Sequence, residues 1–299
     1  MAKTTWLNFQ DKLNQLKLCT VYLAQPLGSV GGGQLGLTMM DTPSTAPTIT
    51  APSPTAPPDP SRPALVLHHL EQSRSQRVLW LLEEMGLPYE LKTYARQRGN
   101  RLAPPELKAV HPLGKSPVLV HGSEVVAESA AILEYLAETF AERAQGDLAQ
   151  LVPAPGTPEH RRCRFWLHYA EGSLMPWLLM KLVFQMLPRQ PMPFFVRPLV
   201  QPIVHYVCQQ VQLKLIDPNL QRALPFIEQE LAQRPWFAGS HLSLADFQMS
   251  YPIEAALTRL GGTPGSASKK WPHLHAWLER VHARAAYQRA LAKGGPVMW

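Results

Sequence analysis

From Leu65 onward the apolar positions follow two rhythms in turn. Leu65 to Leu70 is a short apolar run, the mark of a buried strand. Val78, Leu81, Leu82 and Met85 then recur at helical spacing over Gln76 to Met85, and Gly86 and Pro88 stop that helix. Tyr89 to Tyr94 reads as a second strand, and Pro104-Pro105-Glu106-Leu107 opens a short helical segment. Pro117 to Val120 and Val125-Val126 read as two further strands about a turn at Gly122-Ser123. Ser129 stands as an N-cap before the periodic run Ile132, Leu133, Leu136, Phe140.

This order, βαβαββα, is that of a thioredoxin-like domain, assigned to residues 63–142. A polar connector containing Gly and Pro (143–156) separates it from a purely helical half, 157–299. Thr157-Pro158 supplies a cap and a first-turn proline for a long helix through Phe165, Trp166 and Tyr169. Leu220, Leu224, Ile227 and Leu231 mark another helical face, and Pro272 begins a last helix with Leu274, Trp277 and Val281. Ser243-Leu244-Ala245-Asp246 has the form of a capping box, with Leu242 and Phe247 placed as its hydrophobic staple. The fold class is α/β followed by all-α.

Residues 1–62 stand apart. Positions 43–60 hold seven prolines among eighteen residues, a composition that predicts an extended, disordered extension. An amphipathic helix over Trp6 to Tyr22, anchored by Leu7, Leu13, Leu16 and Val21, is the alternative. Gly31-Gly32-Gly33 does not make a phosphate loop, because no Lys-Ser or Lys-Thr follows.

Composition narrows the function. Hydrophobic residues at 45% and charged residues at 17% describe a globular chain. The net charge of +7 comes from basic residues scattered among acids, with no aromatic-interleaved stripe, so no nucleic-acid partner is expected. Anionic small substrates suit it better. Cys19, Cys163 and Cys208 show no pairing or metal spacing, which fits a reducing, cytoplasmic setting without a metal. The apolar stretch Leu174 to Leu187 is interrupted by Lys181 and Gln185 and ended by Pro188, so no membrane span is expected.

The chemistry concentrates around Ser116-Pro117-Val118 and Glu128-Ser129. Proline at the start of a strand leaves the backbone before it free to pair with something else. A helix N-terminus nearby attracts a carboxylate. A strand edge beside a helix end describes a site for a small acidic peptide.

These residues carry a resemblance. The strings LHHLEQSRSQRVLWLLEEMGLPYEL (67–91), HPLGKSPVL (111–119), AESAAILEYL (127–136), MPFFVRP (192–198) and WFAGSHLSLADF (236–247) stand in the order and spacing of a soluble glutathione S-transferase. Within that superfamily the chain is similar to the serine-type bacterial and fungal group that includes yeast-like enzymes. The resemblance implies conjugation of the glutathione thiolate to electrophilic hydrophobic small molecules by a homodimer. It implies Ser73, four residues before Arg77, as the catalytic serine, with glutathione as co-substrate. Ser75 is the better helix cap by position, which leaves Ser73 for the ligand; Ser75 as thiolate donor remains the alternative, and Arg74 is a possible second donor. Pro117 resembles the family's cis-proline, and Ser116 would pair its backbone with the cysteinyl unit. Glu128 would meet the γ-glutamyl ammonium, and Ser129 its carboxylate. Lys115 would reach the glycyl carboxylate, and His111 reads as a loop residue.

The absence of cysteine from the Ser73 loop argues against mixed-disulfide chemistry. Tyr169, Met175, Trp177 and Met180 are candidates for the second-substrate wall, although aromatic and Met residues at helical spacing more often belong to a core, and residues 187–198 are candidates for a cover over the site or a plug in the helical core. The Ser243–Asp246 box is assigned to stability. Rival functions are a glutathione-dependent peroxidase or isomerase on the same site, and a non-catalytic binder of hydrophobic ligands.

Overall fold

A computed structural model describes residues 65–260 and 270–297. Cys19, the Pro-rich extension and the possible helix at 6–22 lie outside the described residues. Four strands form one sheet: β1 (Leu65–Leu70), β2 (Glu90–Tyr94), β3 (Val118–His121) and β4 (Glu124–Ala127), in the order β2-β1-β3-β4. β1 runs parallel to β2 and antiparallel to β3, and β3 is antiparallel to β4. Three helices complete this half: α1 (Ser75–Glu84), α2 (Leu107–Val110) and α3 (Ser129–Thr139). This is a thioredoxin-like arrangement.

The parallel β1–β2 pair needs a crossover, and α1 supplies it. Every residue from Ser75 to Glu83 is buried, because α1 is enclosed by β1, α3 and two helices of the other half. A helix buried all round carries apolar residues on most faces, and Val78, Leu79, Trp80, Leu81 and Leu82 are fully buried. β3 begins at Val118 rather than Pro117, since proline has no N–H to give to the ladder.

The helical half comprises α4 (Pro158–Tyr169), α5 (Met175–Met186), α6 (Arg197–Val211), α7 (Asp217–Gln233), α8 (Leu244–Leu260), α9 (Pro272–His282) and α10 (Ala285–Gly294). Thr157 Oγ1 accepts the His160 N–H at 3.1 Å, so the expected cap is made. A π-helical turn, Ala170–Leu174, joins α4 to α5, and a second, Gln212–Ile216, joins α6 to α7. Each is followed by a proline at the second position of the next helix, Pro176 and Pro218. Proline cannot donate to the carbonyl four residues back, which favours a widened turn there.

α10 closes on α1. Arg289 Nε and Lys293 Nζ reach Glu83 at 2.8 and 2.5 Å, Arg284 Nε reaches Glu84 at 2.5 Å, and His69 Nε2 donates to the Gly294 carbonyl at 3.0 Å. The Ser243–Asp246 box is a buried junction. Asp246 Oδ2 accepts from the Ser243 N–H and hydroxyl, both at 3.0 Å, and Oδ1 accepts from Phe237 N (3.0 Å) and Trp277 Nε1 (2.9 Å). Burial pushes the Asp246 carboxyl up to about 6, against the pull of these four donors. Leu242 and Phe247 are both buried, as a staple requires.

One expectation for the helical half needs correction. Residues 187–198 neither plug the core nor cover the site: after a short turn at Leu187–Arg189 the chain leaves Phe194 87% and Phe195 70% exposed. Proline at 188, 191 and 193 denies this segment the regular hydrogen bonding that would dock it. Tyr169, Met175, Trp177 and Met180 lie in or against the core, the alternative that their helical spacing left open. Met175 is 4% exposed, the other three pack partly buried against the core cluster, and Tyr169 joins an aromatic group with Phe165, Trp166 and Phe226.

Candidate functional site

A cleft of about 280 Å³ opens where β3 begins, and α3 and the first π-helical turn form its other walls. Lys115, Ser116, Pro117, Glu128 and Ser129 all line it, so the structure brings together five residues separated in sequence by a hairpin. The Ser116–Pro117 peptide is cis. The β1–β3 register ends at the His68–Val118 pair, so the Ser116 backbone lies outside the ladder. Its side chain is committed elsewhere: Oγ accepts from Leu70 N at 3.0 Å and donates to the His68 carbonyl at 2.9 Å. The hydroxyl thus holds the backbone groups that the Pro117 position leaves open on β1.

Glu128, not Ser129, occupies the cap position of α3, and this corrects the N-cap reading. Glu128 has φ +72° and ψ 125°, a conformation costly for a residue with a Cβ. It turns the chain from β4 into α3 while its exposed side chain borders the cleft and caps nothing. Ser129 is the first helical residue, 4% exposed, and its Oγ accepts from Arg77 Nη1 at 3.0 Å.

The capping assignment at α1 also changes, since Arg74 occupies the cap position and no side chain caps the helix. α1 starts at Ser75, whose hydroxyl is buried with no partner. Ser73 Oγ accepts the Ser75 N–H at 3.2 Å, a short-range serine turn. Ser73 is 6% exposed and is not among the lining residues of the cleft, although its neighbour Arg74 is. His111, read as a loop residue, lines the cleft as well, together with Leu113, Val118, Ala127 and Leu179.

Sequence reasoning missed Glu171. It sits in the π-helical turn after α4 and faces the cleft. Its Oε2 meets Arg74 Nε at 2.9 Å and its Oε1 meets Arg77 Nη1 at 2.6 Å. Arg77 is fully buried; burial pushes its guanidinium below its ordinary value, and Glu171 opposes the shift. Both guanidinium groups lie over the Tyr251 ring, 5.9 Å from its centroid for Arg74 and 5.5 Å for Arg77. The only advance signal for Glu171 was an acid beside Gly172-Ser173, just ahead of the apolar run that begins at Leu174.

The cleft walls therefore carry two cations, Lys115 and Arg74, and two carboxylates, Glu128 and Glu171. Such a lining suits a short zwitterionic peptide. A larger hollow of about 590 Å³ opens beside α5 and α6, lined by Phe184, Arg189, His205 and Cys208 among others. It holds neither Ser73 nor any of the candidate glutathione-binding residues. Among the described residues no group of three or more His, Cys, Asp or Glu is placed to hold a metal, and no helix is long and apolar enough to cross a membrane.

Comparison with known proteins identifies the family. The family model for the glutathione S-transferase N-terminal domain matches residues 73–139, and that for the C-terminal domain matches residues 191–285. Glutathione S-transferase 3 of Schizosaccharomyces pombe is 33% identical over 232 residues, spanning 77% of this chain and 87% of that protein. A solved glutathione S-transferase from Actinobacillus pleuropneumoniae superposes with a TM-score of 0.57 at 30% identity, covering 77% of this chain and 92% of that one. The theta-class enzyme of Xanthomonas axonopodis pv. citri, solved with glutathione bound, gives a TM-score of 0.54 at 25% identity, covering 76% of this chain and 97% of that one. The chain belongs to the glutathione S-transferase family of enzymes, with yeast enzymes among its relatives.

Proposed function

We propose that the cleft binds glutathione and that the protein conjugates its thiolate to electrophilic hydrophobic small molecules. The observation that carries this reading is the meeting of Lys115, Ser116, Pro117, Glu128 and Ser129 around one cleft. Ser116 offers its backbone to the cysteinyl unit. Glu128 takes the γ-glutamyl ammonium, Ser129 and the α3 N-terminus take the α-carboxylate, and Lys115 takes the glycyl carboxylate.

Conjugation requires a thiolate at neutral pH. A free thiol titrates near 8.5, and lowering that by two units requires about 2.7 kcal/mol of preference for the anion. We assign the donor to Ser73, which stands at the start of α1 beside Arg74 and keeps its hydroxyl proton, since its oxygen accepts from Ser75. The thioredoxin-like domain (63–142), connector (143–156) and helical domain (157–299) act together in a homodimer. A reducing compartment such as the cytoplasm suits the buried thiols Cys163 and Cys208.

Calorimetry with glutathione, followed by an assay panel of aryl halides, isothiocyanates and organic hydroperoxides, tests the reading. Glutathione binding with turnover of the first two classes supports conjugation. Turnover of hydroperoxides alone supports the peroxidase alternative, and no binding overturns the site.

A further inference from the structure

Arg77 is the strongest unexplained feature of the molecule. It is a cation with no exposed surface, directly before the buried apolar run Val78 to Leu82. Such a charge is retained only where it is paired and hydrogen-bonded. Its partners are the two sides of the cleft: Ser129 Oγ at 3.0 Å and Glu171 Oε1 at 2.6 Å, both from the single nitrogen Nη1. Nε and Nη2 are buried without partners, so the geometry is not one that satisfies the guanidinium for its own sake.

The consequence falls on Ser129. A serine hydroxyl has one proton and two acceptor positions. With one acceptor position filled by Arg77, the proton is directed away from the guanidinium. Ser129 lines the cleft, so its hydroxyl proton is available to be donated there. The Arg77 charge, next to the first residue of α3, adds to the positive end of that helix.

We infer that Arg77 is a positioning residue: it orients the Ser129 hydroxyl to donate to the α-carboxylate of the bound peptide, and Glu171 of the helical half braces it there. The inference rests on the glutathione reading of the cleft and adds to it a dependence of carboxylate recognition on the helical half. Glu171 makes this contact from within the π-helical turn Ala170–Leu174.

The test compares three ligands by calorimetry. One is glutathione, one lacks the α-carboxylate (γ-aminobutyryl-cysteinyl-glycine), and one lacks the α-ammonium (glutaryl-cysteinyl-glycine). Wild type is expected to prefer glutathione over the decarboxy ligand by about a hundredfold. Arg77→Gln should cut that preference about tenfold and leave the preference over the deamino ligand unchanged, because Glu128 provides the latter. Glu171→Gln, a change at a half-exposed side chain that spares the core, should cut the carboxylate preference about threefold. A merely structural Arg77 would move both preferences together or neither. An undiminished carboxylate preference in Arg77→Gln overturns the inference; should that chain not fold, the same result in Glu171→Gln does so. Absence of any carboxylate preference in wild type overturns the glutathione reading itself, and this inference with it.

Discussion

Ser73 Oγ accepts the backbone N–H of Ser75 at 3.2 Å, which commits the oxygen and leaves the hydroxyl proton to be given elsewhere. Ser73 therefore both shapes the first turn of α1 and, in our reading, serves the ligand. Removing the hydroxyl has two effects that need separating. Ser73→Ala should lower turnover about a hundredfold, as for loss of one donor to a developing anion. It should also lower stability by about 1 kcal/mol through the lost turn hydrogen bond. Ser73→Thr keeps the hydroxyl and should retain most turnover. Steady-state kinetics beside denaturant melts would show this; equal turnover in wild type and Ser73→Ala would remove Ser73 from the chemistry.

Glu128 combines a carboxylate at the cleft with a backbone at φ +72°. Glycine tolerates that conformation without the Cβ penalty. Glu128→Gly should therefore be more stable than Glu128→Ala by about 1 kcal/mol, while both bind glutathione more weakly. The binding loss should be about 1 kcal/mol for this exposed carboxylate. For the buried Ser129 hydroxyl in Ser129→Ala it should be about 1–3 kcal/mol. Thermal melts and calorimetry on the three variants check the set. Normal binding by both Ala variants would mean that the site lies elsewhere.

Asp246 tests the division between stability and catalysis. Asp246→Ala strands the Trp277 and Phe237 donors and should cost about 3–5 kcal/mol. Activity per folded molecule at low temperature should be unchanged. The carboxyl titrates near 6 in the fold against 3.8 as its ordinary value, so the native state holds the proton over a range where the unfolded chain has lost it. This group's contribution to stability therefore falls as pH rises from about 4 to 6 and is constant above. Asp246→Asn should remove that slope in denaturant melts taken across the range.

Cys163 should be inert in the native protein. Burial pushes its thiol up to about 11. At pH 8 only about one molecule in a thousand carries the thiolate, before any barrier to access is counted. In a Cys19→Ser, Cys208→Ser background, Ellman's reagent should detect no fast thiol until denaturant is added. A rapid native reaction would contradict the burial.

The strands and helices were legible because each has its own short-range signal. The apolar period of α1, the turn at Gly122-Ser123 and the Thr157-Pro158 start all lie within one element. The residues around Ser116 and Glu128 were legible for the same reason, since Pro117 and the α3 start are local marks. What escaped depends on docking. Arg77 meets Glu171 across 94 positions, through a π-helical turn whose sequence sign is no more than Gly172, Ser173 and Pro176. The Ser116 side-chain bonds escaped because their partners, Leu70 and His68, lie on a different strand. The capping assignments at Ser75 and Ser129 failed by one or two residues. In each case the helix takes the serine as its first residue and the position before it as the cap, which only the packing decides. Tyr169 and Met175 show the limit of composition: helical spacing of aromatic and Met residues does not distinguish a core face from a pocket wall.

The most direct measurement is a pH titration of the thiolate absorbance of bound glutathione, in wild type and in Ser73→Ala, with Ser73→Thr as control. The account predicts that wild type and Ser73→Thr titrate about two pH units below the free thiol, and that Ser73→Ala titrates close to it. A bound thiol with the same depressed titration in Ser73→Ala as in wild type would contradict the assignment of Ser73 as the group that holds the thiolate.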